Sequence, residues 1–168
     1  GTLATTDSAM DLGAVTLGAD GTLESGSGTI TVGSVDGGST HGLTLQADTA
    51  GSTGSVMITG ALTAQSLTTF AEAYAVSLLG GGTVTDDTAF ANTGNLTLGE
   101  EAADLFIFTG GLATTAAGGT VTVAGTLATT DTQMDLGAVT LGADTVLTTG
   151  TGGGTITLDG AANYGHGL

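Results

Sequence analysis

The 168 residues contain no lysine, arginine, cysteine, proline or tryptophan. With 16 acidic side chains and no Lys or Arg to pair with them, salt bridges cannot hold this fold. Stability has to come from buried apolar surface, backbone hydrogen bonds and side-chain ladders. A formal charge of −16 excludes nucleic acid, whose affinity rests on Lys and Arg contacts to phosphate. It also disfavours anionic membrane surfaces. The longest apolar stretch, residues 73–79, is far too short to cross a bilayer, so membrane insertion is not expected. Cations, divalent ones included, are the natural partners.

What remains is rich in small and apolar residues. Glycine occurs 32 times, yet 40% of the chain is hydrophobic and the mean hydropathy is +0.39. Disordered chains are apolar-poor, so this composition predicts an ordered fold. Residues 1–20 read GTLATTDSAMDLGAVTLGAD and residues 125–144 read GTLATTDTQMDLGAVTLGAD, matching at 18 of 20 positions at an offset of 124. Such self-similarity marks a repeat architecture. Residues 1–168 read as one continuous window, with 1–124 a full repeat unit and 125–168 the start of the next. No signal peptide is visible, as expected of a window internal to a longer chain.

Short runs alternate an apolar residue with Thr or another small residue: Gly28–Val32, Leu43–Leu45, Ser55–Ile58, Asn95–Leu98, Gly119–Val123 and Gly154–Leu158 among them. This period of two is the signature of half-buried strands. Gly, Asp, Asn and Ser clusters separate the runs and mark turns. Thr69–Leu79 is ambiguous between a helical turn and an extended rung, and the extended reading is preferred. Glycine-bounded strands, scarce aromatics and the long repeat favour a parallel β-helix (β-solenoid) over a sandwich or a propeller. Its narrow core would stack Val15, Leu17, Ile30, Val32, Leu96, Leu98, Val121, Val123, Val139 and Leu141 inward. Phe90, Phe106 and Phe108 are candidates for stacked aromatic positions.

The phrase Thr-Leu-small-small-acid recurs at Thr16–Asp20, Thr44–Asp48, Thr97–Glu101 and Thr140–Asp144. Its intervals fit turns of roughly 20–28 residues and a window of roughly six to eight turns. The two copies drift in offset from 124 to 126 at Thr29/Thr155 and to 125 at His41/His166. The length changes fall in Gly/Ser/Thr stretches, where loops tolerate insertion while strands keep phase.

Val15–Asp20, Gly28–Thr31, His41–Ala47, Phe90–Gly99 and Phe106–Leu112 together resemble the giant secreted bacterial proteins built of β-strand repeats. These are similar in style to filamentous haemagglutinin-like adhesins and autotransporter passengers. The resemblance covers nearly the whole chain. It implies secretion to the extracellular space or the bacterial cell surface, a right-handed shaft, and a part in adhesion or fibre formation. It brings no catalytic residues. The lack of cysteine fits a long secreted chain that does without disulfides.

Two acid clusters, Asp86-Asp87 and Glu100-Glu101 with Asp104, are candidate weak calcium sites, because calcium takes oxygen ligands and would relieve stacked charge. The turn acids Asp20, Asp48, Glu101 and Asp144 recur at equivalent points. The plainer reading of all of them is a solvated acidic face, and neither a calcium nonapeptide nor an EF-hand pattern is met. His41 and His166 occupy one repeat position, and a backbone-capping role suits them better than metal binding. Asn95-Leu96-Thr97 matches a glycosylation sequon by chance. Paired carboxylates admit a polysaccharide-active enzyme as a remote reading, but no catalytic constellation is assembled and no cofactor is implied beyond calcium. The expected function is therefore not enzymatic. It is the structural shaft of a secreted filament that stacks end to end with itself, with the stalk of a large adhesin as the alternative.

Overall fold

The computed structural model describes residues 1–47 and 51–168. Asp48, one of the recurring turn acids, lies outside them. The described chain is all-β, with 17 strands and no helix among the described residues. Every strand pairing is parallel. The strands form a β-solenoid of three faces per turn and about eight turns.

The first face carries Thr2–Ala4, Gly21–Glu24, Leu43–Leu45, Leu67–Thr68, Thr88–Ala89 and Leu112–Ala113, then residues 134–136 and 156–158. The second runs from residues 10–12 and 29–32 through Ser55–Ile58, Ala75–Leu78 and Leu96–Leu98 to 121–123, 139–141 and 160–162. The third runs from 14–16 and 34–36 through Leu62–Ala64, Gly82–Val84 and Leu105–Phe108 to 126–129 and 145–148. The ladder on the first face is interrupted between Leu67–Thr68 and Thr88–Ala89. There the rungs are tied on either side by Asp86 N–H to Gln65 C=O and by Ala91 N–H to Thr69 Oγ1.

The step from one turn to the next varies. Val121 pairs with Val139, 18 residues on, whereas Val35 pairs with Leu62, 27 residues on. Strand cores stay in register and the corners absorb the difference, as the drifting repeat offset predicted.

Alternation does the sorting. In Leu96-Thr97-Leu98 both leucines are fully buried and Thr97 faces outward, lying between Ser77 and Thr122. Of the ten residues expected to face inward, eight are buried. Val15 and Leu17 are half-buried but pack against the same core, because they belong to the first turn and have no rung above them. Phe90, Phe106 and Phe108 are buried together. Phe106 stacks on Phe108 at 6.1 Å between ring centres, and Phe90 meets Phe108 edge-on at 6.4 Å. The segment 69–74 is not helical, and Ala75–Leu78 is a strand, in line with the extended reading. Its Tyr74 is completely buried, with the hydroxyl accepting from Phe70 N–H at 2.8 Å and donating to Leu45 C=O at 3.1 Å.

The sequence repeat and the structural turn are out of phase. Thr2 lies on the first face over Thr22, whereas its counterpart Thr126 lies on the third, under Leu105. Met10 is on the second face and Met134 on the first. Val15 is on the third and Val139 on the second. The same phrase therefore folds with the same residues turned inward, but one face further back. Period-two patterning says which side chains point in and nothing about which face they serve.

Candidate functional site

The corners between faces hold the polar chemistry. With no Lys or Arg available, carboxylates accept from backbone N–H groups of neighbouring rungs. Asp7 Oδ1 accepts from Ser27 N–H and from the Ser27 hydroxyl, both at 3.0 Å. Asp20 Oδ1 accepts from Gly42 N–H at 2.8 Å, and its repeat counterpart Asp144 accepts from Gly167 N–H at the same distance. Asp131 Oδ1 accepts from Gly152 N–H at 2.5 Å, and Glu72 Oε2 from Gly51 N–H at 3.2 Å. These bonds satisfy corner amides that no strand ladder reaches. The two bonds from Ser27 draw the Asp7 carboxyl below its usual value of 3.8, the backbone bond first and the hydroxyl second, with desolvation opposing them.

Neutral side chains do the same inside the corners. Gln46 is buried with a left-handed backbone (φ 48). Its Oε1 accepts from Ser25 N–H at 2.9 Å, and its Nε2 donates to Ser25 Oγ at 3.0 Å. Asn92 is fully buried, with Nδ2 donating to the carbonyls of Tyr74 and Gly94 at 3.3 and 3.2 Å. Asn95, the sequon residue, accepts through Oδ1 from Thr120 N–H at 3.1 Å. It is a rung clip on the exposed surface.

The sequence-derived calcium candidates do not converge. Glu100, Glu101 and Asp104 share the corner between the second and third faces. There Asp104 Oδ2 turns back to accept from the N–H groups of Glu100 and Glu101 at 2.8 and 3.0 Å. Asp86 and Asp87 sit at the next corner, where Asp86 N–H is committed to Gln65 C=O and Asp87 borders a cleft of about 410 Å³ with Gln133 and Asp135. Among the described residues no three His, Cys, Asp or Glu side chains form a group able to hold a metal. His41 closes a turn through its main chain, its N–H on Gly37 C=O and its C=O taking Gln65 N–H. His166 Nδ1 stands 4.0 Å from Asp144 Oδ1.

A second shallow cleft, of about 340 Å³, lies beside Asp7, Glu24 and Gln46. Asp7 and Gln46 are already engaged there as rung clips, so the cleft offers few unspent polar groups. Residue spacing had singled out Asp20 and Asp144. It missed Gln46 and Asn92, for which the sequence carries no such signal, and Asp7 and Asp131, whose one available signal was the repeated Thr-Thr-Asp of 5–7 and 129–131. No protein-family model, curated protein or solved structure matches the chain.

Proposed function

We propose that this chain is a structural segment, the shaft of a secreted filament in the extracellular space or on a bacterial cell surface, and not an enzyme. The observation that carries this reading is the single uninterrupted core running the length of about eight turns. Polar side chains are spent at its corners on holding rung to rung. Parallel rungs stack by simple translation, so the natural partner is another stretch of the same solenoid. The resemblance to β-strand-repeat adhesin shafts is consistent with that role. The acidic surface gathers cations as screening counterions. An extracellular fibre also gains from a chain with no Lys or Arg, because trypsin-like proteases find no site in it.

Electron microscopy of the purified chain, with sedimentation velocity beside it, tests the reading. Thin filaments of uniform width, lengthening with protein concentration, are expected. A compact monodisperse particle that cleaves or tightly binds a polysaccharide would overturn it.

A further inference from the structure

At one level, midway along the solenoid, the three faces are not held alike. The second-face ladder runs unbroken through Ser55–Ile58, Ala75–Leu78 and Leu96–Leu98, and the third through Leu62–Ala64, Gly82–Val84 and Leu105–Phe108. On the first face, among the described residues, no strand pairing joins Leu67–Thr68 to Thr88–Ala89, and the ladder resumes only at Leu112–Ala113. Both strands at the gap are two residues long. Side chains take over where the backbone ladder stops. Thr69 Oγ1 accepts from Ala91 N–H at 2.9 Å, in the place of a main-chain carbonyl. Asn92 Nδ2 reaches Tyr74 C=O of the preceding rung at 3.3 Å, and the Tyr74 hydroxyl ties Phe70 N–H to Leu45 C=O. Thr69, Tyr74 and Asn92 are all buried. Beside them, Asn92 Oδ1 and Thr114 Oγ1 are buried with no hydrogen-bond partner among the described residues. A buried polar atom left without a partner forfeits its hydration, and local opening concentrates where backbone bonding is thin.

We propose that this level is a built-in joint of the solenoid: the first face parts between Leu67–Thr68 and Thr88–Ala89 while the second- and third-face ladders hold as its hinge. Two backbone bonds bound the part that moves. Asp86 N–H on Gln65 C=O at 2.7 Å closes one side, and Thr93 N–H on Glu72 C=O at 2.8 Å closes the other. Between them, the Thr69–Ala91 bond is the clip that has to break. Water entering the gap reaches the Asn92 carbonyl oxygen, which offsets the loss of that clip. Parting one face of three bends the axis away from that face, so a shaft built of this chain gains a fixed place and direction of bending. That consequence rests on the shaft reading above, whereas the opening itself does not.

Hydrogen–deuterium exchange on the purified chain reads the joint. Peptides covering 65–70 and 86–91 are expected to exchange on the order of tenfold or more faster than those covering 75–78 and 96–98 of the same turns. Thr69→Val keeps the side chain's shape and deletes its hydroxyl. It should speed exchange at 86–91 further and leave 96–98 unchanged. The chain contains no cysteine, so an engineered disulfide can close the gap. Thr68→Cys with Ala89→Cys places both thiols on the outer surface, one on each side of it. Oxidation should bring 65–70 and 86–91 to the protection of the other two faces, and reduction should release them. Equal protection of all three faces in the wild-type chain would overturn the joint, as would a formed disulfide that leaves exchange there unchanged. Equally fast exchange at 75–78 and 96–98 would overturn it too, because whole turns would then be opening and not one face. Filament growth is scored separately by microscopy, so its failure would sink the shaft reading and leave the exchange pattern to decide the joint.

Discussion

Asp7 and Asp131 stand 124 residues apart and make the same clip on different corners. Both have left-handed backbones (φ 50 and 57), and each offers Oδ1 to an N–H of the following rung, Ser27 for one and Gly152 for the other. Asp7 bridges from the first face to the second, Asp131 from the third to the first. Aspartate tolerates this backbone region because its short polar side chain bonds locally, so the corner is encoded by the residue and not by the face. The clip serves two of the three corners alike.

The clip has a pH signature. Hydrogen bonding to the ionised form lowers the Asp7 pKa from 3.8. A depressed carboxyl pKa contributes stability that is fully present above the unfolded value and is lost as pH falls through the folded one. The Tm difference between wild type and Asp7→Asn should therefore favour wild type at neutral pH and shrink steadily below about pH 4. Thermal melts of both proteins across pH 2–7 check this. A difference constant through that range would deny the carboxylate its role.

Inward and outward positions should separate sharply in cost. Leu98 is completely buried between Leu78 and Val123, so Leu98→Ala leaves a cavity the flanking rungs cannot close and should cost about 2–5 kcal/mol. Thr97→Ala, one residue away on the outer surface, should stay within about 0.5 kcal/mol. Urea unfolding of the pair measures both. Equal effects would mean the alternation does not define the core.

That alternation is why most of the fold was legible in the sequence. Apolar–Thr pairs fixed the strand cores, and the recurring phrase bracketed the turn length, because both depend on near neighbours and a regular period. The corners were less legible. The partner of Asp7 is an amide 20 residues on, and that of Gln46 an amide 21 residues back. Such pairings exist only once the turn length is set, and it varies from 18 to 27 residues. The phase between repeat and turn was hidden for the same reason. The acid clusters were visible as charge, but spacing could not show that Asp104 turns back onto its own loop.

Glycine substitutions should divide by what lies beneath them. Gly82 has φ +137, and a Cβ there would run into the Leu62 carbonyl of the rung above. Gly82→Ala should cost on the order of 3 kcal/mol or more, through backbone strain and a broken ladder. Gly18 has open space around it and ordinary backbone, so Gly18→Ala should be neutral or stabilising by about 0.4–1 kcal/mol. Comparing the two melts separates glycines required by stacking from those that only loosen the unfolded chain.

Salt should matter more than the identity of the cation. The 16 acids have no Lys or Arg among them, so screening relieves repulsion and Tm should rise with monovalent salt as the Debye length contracts from ~30 Å at 0.01 M toward ~10 Å at 0.1 M. Calcium at fixed ionic strength should add little. Asp7, Asp20, Asp104, Asp131 and Asp144 already use an oxygen on a backbone amide, and the Asp86-Asp87 and Glu100-Glu101-Asp104 groups lie on different corners. Calcium prefers six to eight oxygens around one point, and among the described residues no corner gathers three His, Cys, Asp or Glu side chains able to hold a metal. Melting against calcium at constant ionic strength decides the matter, with Asp104→Asn as the control. A calcium-specific rise in Tm that disappears in Asp104→Asn would locate a true site in the 100–104 loop. A flat response in both proteins leaves these carboxylates as clips and solvated charge.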